Sequence, residues 1–140
     1  MTIRHPSRGF TLIELLVVVA IIGLLATIVI ASLSAAQIKA RDVRRMSDID
    51  TLRKALALYA TNDGLYPVEI SPVAISSSSF VGASLVANNA LNIVPRDPLD
   101  PTYRYEYVSN DIGSTYTISF CLETNTIQNF SQGCGNTISP

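Results

Sequence analysis

Between Leu15 and Ile38 the chain runs for 24 residues without a formal charge, most of them Leu, Val, Ile and Ala. No other feature restricts the fold as strongly. A helix crosses a bilayer core in about 20 apolar residues at ~1.5 Å per residue, so this stretch is long enough to span. Bare in water, its side chains have nothing to bury against. It needs lipid or copies of itself. The rest of the chain reads as a soluble domain, and the average composition of 48% hydrophobic and 15% charged residues conceals that division. A length of 140 residues leaves room for one domain. A net charge of −1 gives no global positive field for nucleic acid or anionic lipid.

The flanks of the run narrow the choice. Met1–Gly9 is polar, carries Arg4 and Arg8, and contains Pro6 and Gly9, both poor helix residues. Glu14 lies near the start of the run, where a carboxylate at membrane depth costs roughly 2.5–3.5 kcal/mol on insertion scales. A secretory signal peptide cut after Ser34-Ala35-Ala36 accounts for the small residues there, but the run is long for one and would enclose Glu14. A plain signal anchor accounts for the length and leaves the glutamate unexplained. A third reading accounts for both. Arg8-Gly9-Phe10-Thr11-Leu12-Ile13-Glu14-Leu15 resembles the prepilin-type cleavage and methylation motif of type IV pilins and type II secretion pseudopilins.

That resemblance implies a leader, residues 1–9, removed by a prepilin peptidase after Gly9, and N-methylation of the new terminus at Phe10. Glu14 then lies one helical turn from a cationic amine. It can pair with the terminal amine of a neighbouring copy and set register, or only with its own Phe10 amine. Many pilins have a helix-breaking proline in the second half of this segment; here Ala31 stands in that region and Gly23 is the one weak point.

Hydrophobic periodicity continues beyond the run. Ile38, Met46, Ile49, Leu52, Leu56 and Tyr59 recur at mostly three- and four-residue steps, with Val43 and Ala55 close by, which marks an amphipathic helix. Asp50 and Lys54 form an i,i+4 pair in the favourable orientation. Asn62-Asp63-Gly64 supplies a stop, followed by Pro67. With no breaker between the two halves, one helix of about 50 residues is predicted, membrane-spanning over residues 10–36 and an amphipathic stem over residues 37–63.

Residues 64–140 form the head. Leu65–Pro95 reads as a loop-rich connector with an exposed Ser76–Ser79 stretch and one short helix near Ala83–Leu91. Tyr103–Tyr107 and Thr115–Leu122 alternate as half-buried strands around a turn at Ser109–Gly113, and Thr126–Phe130 supplies a third strand. The predicted class is α+β, a long amino-terminal helix packed on a small antiparallel sheet, with the tyrosines as sheet core. Leu58–Pro67, with its Asp63-Gly64-Leu65-Tyr66-Pro67 step, and Val94-Pro95-Arg96-Asp97-Pro98 also resemble segments of major pseudopilins and several short pilins. In an exported head, Cys121 and Cys134 are read as a disulfide closing the carboxy-terminal loop as pilins often do; the alternative is two free thiols.

Charge is divided unevenly. Residues 37–62 hold six basic and three acidic groups, a net +3, and residues 63–140 hold two basic and seven acidic, a net −5. The basic stem of one subunit is therefore expected to face the acidic head of another through Arg41, Arg44 and Arg45; a solvated or headgroup-facing collar is the alternative. No cofactor is expected. Because major pseudopilins often bind calcium, Asp97, Asp100 and Asp111 are weak candidates, but turn-forming Asp-Pro pairs explain the first two better.

The single histidine, His5, lies in the leader, and no serine or cysteine has a base partner at a suggestive spacing, so an enzyme is not expected. The acidic head gives nucleic acid no direct surface. The resemblance implies a structural subunit of an extracytoplasmic helical filament, waiting in the cytoplasmic membrane with its amino terminus inside. Its partners are copies of itself, other pilins, the prepilin peptidase and an inner-membrane assembly platform driven by a cytoplasmic ATPase. The alternatives are a major pseudopilin of type II secretion and a singly anchored extracellular binding domain that never polymerises.

Overall fold

The computed structural model describes residues 9–140, with Ala31 described by its backbone alone; the leader assignment, except at Gly9, and Arg8 of the motif lie outside the described residues. The chain divides after Gln37 into two compact units. Helix α1 (Leu12–Asp63) supplies the first and opens the second.

In the first unit, Leu12, Ile13, Leu24, Ile28, Ile30 and the other large apolar side chains are exposed. Among the described residues α1 is the one helix long and apolar enough to cross a membrane. The Thr27 hydroxyl is satisfied within the helix, donating to the Leu24 carbonyl at 2.7 Å. The helix continues through Gly23, whose α-carbon has open space around it.

In the second unit α1 buries Ile49, Leu52, Ala55 and Leu56, with Met46 and Tyr59 packed at the margin. That is the face the periodicity marks, except that Val43 points outward. Asp50 and Lys54 pair at 2.6 Å. The helix ends where the Gly64 N–H donates to the Ala60 carbonyl at 2.8 Å. Gly64 has φ +81°, a conformation that favours glycine at a helix end.

Beyond it come β1 (Val73–Ala74), α2 (Phe80–Ala87), β2 (Glu106–Ser109), β3 (Tyr116–Leu122) and β4 (Gly133–Ile138). The four strands form one antiparallel sheet in the order β1-β2-β3-β4, with Tyr107 opposite Ile118 and Ser119 opposite Thr137. Tyr105, Tyr107, Tyr116, Ile118, Phe120 and Leu122 form one core with the buried stripe of α1 and with Val81 and Leu85 of α2. The class is α+β, and Tyr105, Tyr107 and Tyr116 are core residues; Tyr103 lies before β2 and outside the core.

Four sequence expectations shift. The strand expected at Tyr103–Tyr107 is β2, Glu106–Ser109, where pairing with β3 begins at Glu106 opposite Ser119. The short helix is Phe80–Ala87 because Ser79 caps it, its side chain accepting from the Gly82 N–H at 3.2 Å. β1 lies inside the stretch read as connector. Thr126–Phe130 is not a strand. Asn129 has φ +70°, the Phe130 N–H turns back to the Ile127 carbonyl at 3.3 Å, and both apolar side chains pack on the core from a loop. The last strand is instead Gly133–Ile138, which lacks apolar alternation.

Candidate functional site

Two places carry the residues singled out from the sequence. At the head of α1, Gly9 and Phe10 precede the helix and are exposed. Thr11 is its N-cap. The Thr11 backbone N–H and hydroxyl both donate to Glu14 Oε2, at 2.9 and 2.7 Å, and the Glu14 N–H donates to Thr11 Oγ1 at 3.3 Å. This reciprocal pattern is a capping box, and Thr-x-x-Glu is its sequence signature. Glu14 thus has a role inside its own chain that the sequence reading did not assign. Both bonds to the carboxylate fall on one oxygen, so the other can still accept from an incoming cation.

The second place lies where α1 meets the end of β3. Arg45 is fully buried, and its guanidinium faces three carboxylates. Its Nε and Nη2 hold Asp97 in a fork at 2.7 and 3.1 Å, while Nη1 donates at 2.7 Å to both Asp42 and Glu123. Arg41 grips Glu123 with a second fork at 2.8 and 2.5 Å. Asp42 in turn accepts from the backbone N–H groups of Glu123 and Thr124, each at 2.9 Å, and from the Thr124 hydroxyl at 2.7 Å. The Tyr103 ring lies 5.3 Å from the Arg45 guanidinium carbon. Among the described residues no buried side-chain polar atom lacks a partner.

Arg41, Asp42, Arg45 and Glu123 each shift in the direction that keeps the group charged. Hydrogen bonds from Arg41, joined by those from Arg45, outweigh burial and lower the Glu123 carboxyl to about 2. Burial pushes Asp42 upward, yet its amide, hydroxyl and guanidinium donors prevail and its pKa is lowered. Burial likewise opposes the charge of Arg45, but the bonds to Asp97, Glu123 and Asp42 raise its pKa. The charges are held by geometry, as buried ions must be.

This arrangement bears on two sequence expectations. Arg41 and Arg45, expected to face the head of another subunit, bind the acidic head of their own chain. Only Arg44 is left outward, 66% exposed and 4.0 Å from Asp48. Nor is Asp97 a free calcium ligand, since Arg45 takes both its oxygens and the Leu99 N–H donates to one of them at 2.8 Å. Asp100 lies between Arg96 and Arg104, and Asp111 is exposed on the β2–β3 turn. Among the described residues no three His, Cys, Asp or Glu side chains are placed to hold a metal ion; the three carboxylates that do gather surround the Arg45 guanidinium. Cys121 and Cys134 form a disulfide, which ties β3 to β4.

A capped apolar helix whose second half closes over a four-stranded antiparallel sheet defines a pilin-like subunit. Residues 4–30 match the family described as the prokaryotic N-terminal methylation motif. The type II secretion system core protein G of Escherichia coli (strain K12) is 36% identical over 102 residues, 72% of this chain and 70% of that protein. The protein of the same name from Vibrio cholerae is 29% identical over 104 residues, covering 72% and 71%. The one from Klebsiella michiganensis is 41% identical over 64 residues, 46% of this chain and only 45% of the relative. The chain belongs to the type II secretion system core protein G family. No solved structure matches it.

Proposed function

We propose that this chain is a structural subunit of a helical filament outside the cytoplasm. The names of its relatives favour the pseudopilus of a type II secretion system over a surface pilus. The carrying observation is the head of α1: an exposed Gly9-Phe10 junction followed by a capped helix whose first half leaves its apolar side chains exposed, with one carboxylate in its first turn. In this reading a prepilin peptidase cuts after Gly9 and Phe10 is N-methylated. The subunit waits as a single-pass membrane protein with its amino terminus on the cytoplasmic side. An assembly platform and its cytoplasmic ATPase then extract it, and helix packing between copies and other pseudopilins replaces lipid. The terminal amine of a neighbour meets the Glu14 oxygen that the cap leaves free, so the charge of Glu14 is compensated before and after assembly.

Amino-terminal sequencing of the mature protein, joined to filament imaging on cells, tests the reading. N-methyl-Phe10 and filaments that disappear in Glu14→Ala are expected. A chain that keeps its first nine residues and stays monomeric in the membrane identifies an anchored domain instead.

A further inference from the structure

Between Asp63 and Pro140 the sequence has two cations, Arg96 and Arg104. Both line one cleft of about 230 Å³, with Asp100 between them and Ala74 and Ser76 on its wall. Arg96 and Arg104 lie 3.6 and 3.4 Å from the Asp100 carboxylate, longer than the roughly 2.7–2.9 Å of charge-assisted hydrogen bonds. Their side chains are 62% and 53% exposed. A guanidinium carries about five N–H donors, so one loosely held carboxylate leaves most of these directed at solvent. Asp97 also borders the cleft, but Arg45 neutralises it. The cleft is a positive notch on an otherwise acidic head, suited to a second carboxylate.

The notch lies where β1 ends and β2 begins. At the opposite end of that ladder, the β2–β3 turn presents Asp111 and Ile112. Asp111 is exposed and has no ion-pair partner among the described residues, and Ile112 is 60% exposed. The turn is stiff. Asn110 Oδ1 accepts from the N–H groups of Ser114 and Thr115 at 2.8 and 3.2 Å, and its amide donates to Ser114 Oγ at 2.8 Å. Gly113 has φ +70°, and a Cβ there would come within 2.4 Å of the Tyr66 carbonyl oxygen. The other acids of the head are less suited. Asp63 is held by Asn88, Glu69 is half-buried, and Glu106 stands beside the notch itself.

We infer that the Arg96–Arg104 notch of one copy receives the Asp111–Ile112 turn of the next, with Asp111 on the guanidinium N–H groups that Asp100 leaves free and Ile112 against the Ala74 wall. Within a filament, whose copies repeat in one sense, the notch of each copy takes the turn of the next, so the contact is heterologous and repeats from copy to copy. The stiffness of the turn limits the ordering lost on contact. This deepens the filament reading and rests on it.

The test uses the full chain in its native membranes, with Ser76→Cys and Ile112→Cys placed together. Mild oxidation is expected to give a reductant-sensitive ladder of trimers and longer species, and chains with either cysteine alone, which lack one side of the contact, should give none. Asp111→Arg, or Arg104→Asp with Arg96→Asp, should weaken the ladder at least tenfold, and the reciprocal combination should restore it. A missing ladder in chains of unaltered melting temperature overturns the contact, as does a ladder indifferent to Asp111→Arg and to the milder Asp111→Asn. Filaments imaged without a ladder overturn the contact and leave the filament reading standing. Absence of filaments and of Gly9 cleavage in the unmodified chain strikes the filament reading itself.

Discussion

Arg45 is fully buried beside Asp42, Asp97 and Glu123, and each of those charges is tolerable only while the others stay in place. Replacing Arg45 with Met strands two buried carboxylates and should lower unfolding stability by about 3–5 kcal/mol, read by denaturant titration of the detergent-solubilised chain. Arg44→Ala, one residue earlier and exposed, should change it by no more than ~1 kcal/mol. Acid should undo the same cluster. Glu123 has a folded pKa of about 2 against 4.5 for an unperturbed glutamate. Its contribution is therefore complete above the unfolded value and is lost as pH falls from there toward 2; the lowered pKa of Asp42 acts in the same direction. Burial raises Asp48, so that group offsets part of the loss. A fall in melting temperature between about pH 5 and pH 2, largely suppressed in Arg41→Ala/Glu123→Gln, is the expected result. None of this could be read in advance from the chain. Asp97 and Glu123 stand 52 and 78 positions from Arg45, and a basic stem with an acidic head is equally compatible with pairing between copies. The capping box differs, because Thr11 and Glu14 are local and their spacing is a known start signal.

At the scale of elements, the ones found from sequence had strong periodicity or local stop signals. The stripe Ile49–Leu52–Leu56, the Gly64 end and the alternation of Tyr116, Ile118, Phe120 and Leu122 are of this kind. β4 was missed because Gly133-Cys134-Gly135-Asn136-Thr137-Ile138 has almost no apolar pattern; pairing with β3 and the disulfide place it there. Closing a loop of about 14 residues contributes roughly 3 kcal/mol in the chain-entropy model. Reduction should lower stability by about that amount, checked by denaturation with and without reductant and by the intact mass. Helix α2 depends on a close backbone approach: a Cβ on Gly82 would lie 2.0 Å from the Ser76 carbonyl oxygen. Gly82→Ala should therefore displace α2 and destabilise the head by about 1–3 kcal/mol, measured by thermal unfolding.

For the whole molecule, the two units have different requirements. Residues 38–140 contain a core of their own, and the described apolar side chains before Gln37 have none. A fragment beginning at Ile38 and made in an oxidising compartment should be soluble and monomeric. The full chain should need detergent or assemble, a contrast that analytical ultracentrifugation resolves. Alkali should unfold the head above about pH 10, because burial raises the pKa values of Tyr105, Tyr107 and Tyr116 while their unfolded forms ionise normally.

The dependence of this chain on lipid or on other copies, its long helix and the motif at Gly9-Phe10 follow from sequence alone. They rest on local properties: an unbroken apolar run, a helical period and contiguous residues. Tertiary structure decided which charges meet, which strand closes the sheet and which two arginines share a cleft. Those outcomes depend on groups distant along the chain being brought within a few ångströms, and no local pattern encodes such a meeting.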